Sequence, residues 1–320
     1  MPRARIYASH TELLRAEAGN VDFVDIATPP YAHAEVAHAA LGAGLHVLCE
    51  KPVAISSDEA QSMAEHADRA RRVFYPCHNY KHAPVIKAVR SILERGTVGK
   101  IHLVTLQTFR TTHARGTRDW RPDWRRERMF AGGGIAMDHG SHTFYLAFEW
   151  LRSHPTSMGA KTFNSDGADT EDNFSCTLTF PTGIASAHLT WTAGARKVLY
   201  TLHGDRGAIT VDDDVIEVLS RDGSAHDESQ SVPSQWMDAS HKEWFSSLLD
   251  QFAQAIDRRD FVSHDTLDAL QCVRVISAGY ASAARGGREV NLTTPLTLQR
   301  SNGSAVAGAR PLRHSAAFRP

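Results

Sequence analysis

The stretch VDFVDIATPPYAHAEVAHAALGAGLHVLCEKPVA, residues 21–54, decides the fold. It opens and closes on two short apolar runs, 22–27 and 46–49, of a length and composition suited to strands. Between them lies an alanine-rich segment that reads as helix, with Gly42 and Gly44 placed as its C-terminal caps. Two strands joined through a helix run parallel, with a right-handed crossover. The rhythm extends in both directions. Upstream, Ser9 and Glu12 form a capping box for a helix through Leu13 and Leu14. Downstream, Ser56 and Glu59 open a helix to about Arg72, VFYPC (73–77) is a third strand, and the helix APVIKAVRSILERG (83–96) closes on Gly96.

From about Lys100 the texture changes. KIHLVTLQTF (100–109) alternates as a longer strand, and a polar loop rich in Trp and Arg follows over 111–131. AMDHGSHTFYLAFEWL (136–151) is helical, and a series of strands joined by turns such as PTG and GDRG then predicts antiparallel sheet. Two helices, 241–256 and 264–284, close the segment; Trp244, Leu248, Leu249 and Phe252 make an apolar stripe on the first. The expected architecture is α/β plus α+β. A parallel-sheet domain over 1–99 precedes an α+β domain over 100–298 with an open, mostly antiparallel sheet, and 299–320 is a mobile tail.

The totals narrow the function. The 320 residues carry 35 Lys and Arg against 36 Asp and Glu, with no basic surplus to neutralise nucleic-acid phosphates. No apolar run approaches the roughly 20 residues of a membrane span. MPRARIYASH lacks the apolar core of a signal peptide. Cys49, Cys77, Cys176 and Cys272 stand far apart with no C-x-x-C pair, so the expectation is a reduced, cytoplasmic setting.

An open parallel sheet binds ligands outside the carboxyl ends of its strands. Thr28, Pro29 and Pro30 follow the first strand, Glu50, Lys51 and Pro52 the second, and Asn79, Tyr80 and Lys81 the third, so all face one crevice. Lys51 there presents a positive charge to a ligand; a surface turn with a solvated lysine is the competing reading. In GGGIAMDHGSH (132–142), Asp138 and His142 are four apart and share a helix face near its positive end. That end favours Asp as an anion and His as a neutral base; an ordinary helix with a packed histidine is the alternative. A metal site from Asp138, His139 and His142 is disfavoured, because His139 projects about 100° from its neighbour. Trp124 and Arg125 lie in a loop able to cover such a site.

Taken together, residues 24–54, 79–101, the 132–142 motif and TEDNFSCTLTFPTGIASAHLTWTAG (170–194) resemble the glucose–fructose oxidoreductase, inositol dehydrogenase and rhizopine-catabolism (Gfo/Idh/MocA) family. The resemblance runs from about Ser9 to about Leu292. It implies a Rossmann domain for NAD or NADP and a C-terminal α+β domain that supports a sugar or polyol substrate and homo-oligomer contacts through its sheet. It also implies catalytic roles. Lys51 stabilises the reacting oxygen, His142 takes the hydroxyl proton as hydride leaves for the nicotinamide, and Asp138 orients the lysine or the histidine and tunes their pKa. Thr28, Pro29, Pro30, His33, Glu50, Lys51 and Asn79 would line the cofactor; Trp124, Arg125, Asp138 and His142 would touch the substrate. A minority of the family are glycosidases that use NAD transiently.

The family pattern opens with a strand and a G-x-G-x-x-G turn, and this chain shows neither ahead of residue 22. GAGLHV (42–47) fails at the third glycine and lies between helix and strand, the wrong order for a phosphate loop. The reading is therefore an N-terminally truncated Rossmann-type sheet, with the 22–27 strand left as an exposed edge. Either the start is placed too late, or the chain is a shortened homologue that serves as a sugar-binding or regulatory partner.

Overall fold

The computed structural model describes residues 4–221, 228–234 and 241–294; the tail expected at 299–320 lies outside them. Helix α1 (His10–Glu17) is capped by Ser9, whose hydroxyl accepts the Glu12 N–H, and α3 (Ser57–Ala70) by Ser56 on Glu59 in the same way. With α2 (His33–Gly42) these helices alternate with strands β1 (Phe23–Ile26), β2 (His46–Cys49) and β3 (Phe74–Pro76), which form a parallel sheet in the order β1–β2–β3. Among the described residues β1 pairs with β2 alone and is an edge.

Helix α4 (Pro84–Glu94) leads into β4 (Ile101–Phe109); the loop that follows contains a 3-10 turn (Trp124–Arg126) and the short α5 (Arg128–Ala131). Then come α6 (Ile135–Leu151), β5 (Ser157–Phe163), β6 (Asn173–Phe180), β7 (Gly183–Thr190), β8 (Lys197–Gly204), β9 (Gly207–Asp212), β10 (Val215–Ser220) and β11 (Glu228–Ser231). Helices α7 (Lys242–Arg258) and α8 (His264–Ala284) precede β12 (Val290–Asn291). The second sheet runs β11–β10–β9–β8–β4–β7–β6–β5–β12. Every pairing is antiparallel except β4 with β7, which makes the sheet mixed, antiparallel in the main.

A parallel sheet must be covered on both faces, and the last two helices supply part of that cover. Successive residues of β2 and β3 point to opposite sides: Val47, Cys49 and Phe74 pack with α2, α3 and Val273 of α8, while Leu48 and Tyr75 pack with Leu248 and Phe252 of α7. Helix α8 also lies on α6. Gly140 makes that approach possible, since a Cβ there would sit 3.3 Å from the Ile276 side chain. The missing side chain at Gly140 therefore serves helix packing. Among the described residues no helix is long and apolar enough to cross a membrane, and all four cysteines are free and buried.

Candidate active site

Three connections build the site. The first is the pair of turns after β1 and β2. His33 is fully buried with Nε2 2.7 Å from the Thr28 carbonyl oxygen and Nδ1 3.0 Å from that of Pro52, so it ties the two turns together. Burial pulls its pKa down. The second is the Glu50–Lys51 turn: the Lys51 N–H donates to Glu50 Oε2 at 3.1 Å, and the Lys51–Pro52 peptide is cis. Burial raises the Glu50 pKa against the opposing Lys51 charge.

The third is the start of α6, where the glycine run finds its purpose. Gly134 caps the helix with no side chain of its own. Its N–H and that of Ala136 each donate to the Glu171 carboxylate at 3.0 Å, which also accepts the Tyr280 hydroxyl at 2.9 Å. A Cβ on Gly134 would stand 1.7 Å from the Glu171 carbonyl oxygen, and one on Gly133 2.0 Å from Tyr280 Oη. Only a chain without side chains reaches that carboxylate, and the anion sits where a helix start favours one.

So anchored, α6 carries Asp138 against Lys51. Lys51 Nζ donates to the Asp138 carbonyl oxygen at 2.6 Å and lies 3.3 Å from Oδ1. Arg125 Nε is 3.4 Å from the same Oδ1, and its guanidinium stacks 4.2 Å from the Trp124 ring. Burial opposes the Asp138 charge, but Lys51, His139 and Arg125 outweigh it and hold the carboxyl well below the usual range. His139 Nδ1 is 3.6 Å from Asp138 Oδ2 and takes no hydrogen bond among the described residues. Burial lowers its pKa to about 4, with Asp138 opposing.

A cavity of about 130 Å³ opens here. Of the residues singled out in sequence, Thr28, Pro30, Glu50, Lys51, Trp124, Arg125 and Asp138 line it; Pro29, His33, Asn79 and His142 do not. His142 is buried two turns into α6 and makes no hydrogen bond to Lys51 or Asp138 among the described residues. Its Nδ1 is 2.8 Å from Tyr145 Oη, and its ring stacks on Tyr80 at 3.9 Å and 14°. Burial, then the Lys51 charge, lowers its pKa well below the ordinary value, so the imidazole is neutral. Tyr145 is the partner that sequence reasoning missed, although H-x-x-Y at i and i+3 on one helix face signals the contact. Glu171 had no such local signal.

The carboxyl ends of the parallel strands suit the nicotinamide end of a dinucleotide. The Asn79 side-chain oxygen is buried and accepts no hydrogen bond among the described residues, as an acceptor reserved for a ligand would be. No group of three His, Cys, Asp or Glu among the described residues is arranged to hold a metal ion.

The profile of an oxidoreductase family with an NAD-binding Rossmann fold matches residues 2–78, and that of the GFO/IDH/MocA C-terminal domain matches residues 86–210. Levoglucosan dehydrogenase of Pseudarthrobacter phenanthrenivorans is 28% identical over 222 residues, covering 59% of this chain and 55% of that one. The 1,5-anhydro-D-fructose reductase of Ensifer adhaerens is 30% identical over 200 residues, covering 59% and 56%. The chain thus spans about half the length of these curated relatives. The crystal structure of an inositol dehydrogenase homolog complexed with NAD+ from Azotobacter vinelandii shares the fold, with a TM-score of 0.76, 22% identity, and 89% of this chain and 83% of that one covered.

Proposed function

Since this chain belongs to the Gfo/Idh/MocA oxidoreductase family, we propose that it is an NAD- or NADP-dependent dehydrogenase or reductase acting on a hydroxyl or carbonyl of a sugar, polyol or related small molecule. The observation that carries the reading is the meeting of Lys51, from the end of β2, with Asp138, from α6, across a cavity at the carboxyl ends of the parallel strands. Thr28, Pro29, Pro30, Glu50 and Asn79 would hold the nicotinamide end of the cofactor, with His33 bracing the turns that bear them. When bound, the nicotinamide supplies the hydride acceptor or donor.

The chain's own residues do the rest. The Lys51 ammonium donates to the substrate oxygen and stabilises negative charge as it develops there. Asp138, held as a carboxylate by two cations, fixes Lys51 Nζ in place. His142, one turn beyond Asp138 on α6 and outside the cavity lining, is the neutral ring that this reading brings to the same oxygen. Trp124 and Arg125 cover the cavity and touch the sugar. Residues 1–99 form the partial dinucleotide domain of this reading and residues 100–298 the substrate domain. The exposed face of the larger sheet, where Leu103 (40% exposed) and Ile184 (46% exposed) stand side by side on β4 and β7, suits a homo-oligomer contact. The buried free cysteines suit the cytoplasm.

The test is a fluorescence titration of the chain with NADH and with NADPH. Turnover of levoglucosan, myo-inositol and 1,5-anhydro-D-fructose is then followed by nicotinamide absorbance. Saturable binding tighter than about 1 mM with turnover of at least one compound is expected. Sugar binding without nucleotide binding would point instead to a non-catalytic partner.

A further inference from the structure

Tyr145 lies on α6 one turn beyond His142 and is completely buried. Two polar groups among the described residues reach its hydroxyl oxygen: the Tyr80 backbone N–H at 3.2 Å and His142 Nδ1 at 2.8 Å. The amide can only donate. A phenol has one proton, and among the described residues the only acceptor within its reach is Nδ1. Were Nδ1 protonated instead, the hydroxyl oxygen would receive two donors and its own proton would be buried without an acceptor, which native interiors avoid. Burial pushes the phenol pKa well up, so that proton stays on Tyr145. Tyr80 contributes a second restraint, its ring stacked on the imidazole and fixing the ring plane.

We infer that Tyr145 is a positioning residue: it donates to Nδ1 and thereby holds His142 as the tautomer with its proton on Nε2. Nε2 makes no hydrogen bond to any described residue and is the atom left for the substrate. What His142 presents to the reacting oxygen is then an N–H donor, a neutral electrophile beside the Lys51 charge. It is not an open base. The mobile proton falls to Lys51. In carbonyl reduction an N–H bond of its ammonium breaks as the O–H bond of the product forms, the hydride coming from the nicotinamide of the proposed function. The resulting amine regains a proton from solvent. Alcohol oxidation is the reverse. This assignment rests on the reading of His142 and Lys51 as site residues and reverses the proton role that the family resemblance implies for His142.

The experiment is a two-bond nitrogen–proton correlation spectrum of the full chain labelled with 15N-histidine. The His142 signals are identified by their loss in His142→Gln. The expected pattern is a protonated Nε2 and a hydrogen-bonded, unprotonated Nδ1; a proton on Nδ1 in the wild type would overturn the inference. In Tyr145→Phe the Nδ1 resonance is expected to move to that of an unbonded pyridine-type nitrogen, with unchanged circular dichroism. Turnover of whichever sugar the wild type uses is expected to fall roughly tenfold or more, with KM changed less than about twofold. An unmoved Nδ1 resonance would overturn it as well. If Tyr145→Phe does not fold, the wild-type spectrum decides alone. Full activity in His142→Gln would remove the catalytic reading of His142 while leaving the tautomer measurement standing, so the two failures are distinguishable.

Discussion

Glu171→Gln should loosen the start of α6, and its cost follows from the donors on that carboxylate. Glu171 is 5% exposed and accepts three hydrogen bonds on two oxygens: Gly134 N–H on Oε2, and Ala136 N–H and Tyr280 O–H on Oε1. A glutamine keeps one acceptor. Placed at Oε1 it retains two bonds and turns its NH2 against the Gly134 N–H, so one charge-assisted bond is lost and two donors face each other. Such a bond is worth about 1.5–3 kcal/mol. The lost anion at the helix start adds up to about 2 kcal/mol in buried geometry. Because the two losses share one group they do not simply add, and a net destabilisation of about 2–4 kcal/mol is expected. Tyr280→Phe, which removes a single bond, should cost about 1 kcal/mol. Urea unfolding followed by tryptophan fluorescence reads both as a lowered midpoint at constant slope. Hydrogen exchange should accelerate first at the amides of 134–138. A Glu171→Gln midpoint within about 0.5 kcal/mol of wild type, with unchanged exchange at those amides, would refute the idea that this carboxylate anchors the helix.

Lys51→Met should reduce turnover by about three orders of magnitude or more while NADH affinity changes only a few-fold, since Lys51 acts on the substrate oxygen; parallel turnover and titration check it. Gly134→Ala, whose new Cβ would stand 1.7 Å from the Glu171 carbonyl oxygen, should destabilise by at least about 2 kcal/mol in the same urea assay. Acid should weaken the fold early. Val73 N–H donates to His46 Nδ1 at 2.9 Å, and burial, then the Arg72 charge, lowers that ring's pKa from 6.5 to about 4. The unfolded chain therefore binds a proton that the folded chain refuses. This contribution is complete above pH 6.5 and is lost as pH falls toward 4, at roughly 1.4 kcal/mol per pH unit at most and less for a ring partly in water. His139, lowered to about 4, acts in the same window. A urea midpoint equal at pH 7 and pH 5 would contradict this.

The parallel sheet was legible because its signals are local: caps at Ser9 and Ser56, and apolar runs of strand length separated by one helix. The larger sheet was legible as antiparallel, and the parallel β4–β7 pair was hidden because it joins strands some eighty residues apart. The return of α7 and α8 to the parallel sheet was also invisible. An apolar stripe says that a helix face is buried, not what buries it. At the site, spacing on one helix and the ends of consecutive strands brought Lys51 to Asp138. The same spacing paired His142 with Asp138, whereas the ring turns to Tyr145 on its other side. A four-residue offset fixes a shared face but not which neighbour along it a side chain chooses. Glu171 lies more than thirty residues from the amides it holds, and no periodicity reports such a contact.

Hydride transfer at the cavity between Lys51 and Asp138 is the central claim, and isotope transfer tests it most directly. The wild-type chain is incubated with nicotinamide cofactor carrying deuterium at C4 and with 1,5-anhydro-D-fructose or another reducible sugar, and the product is weighed by mass spectrometry. Deuterium on the carbinol carbon of the product in the wild type, and none above background in Lys51→Met, is the predicted result. Product formed without deuterium from either prochiral label, or label transferred equally well by Lys51→Met, would contradict it.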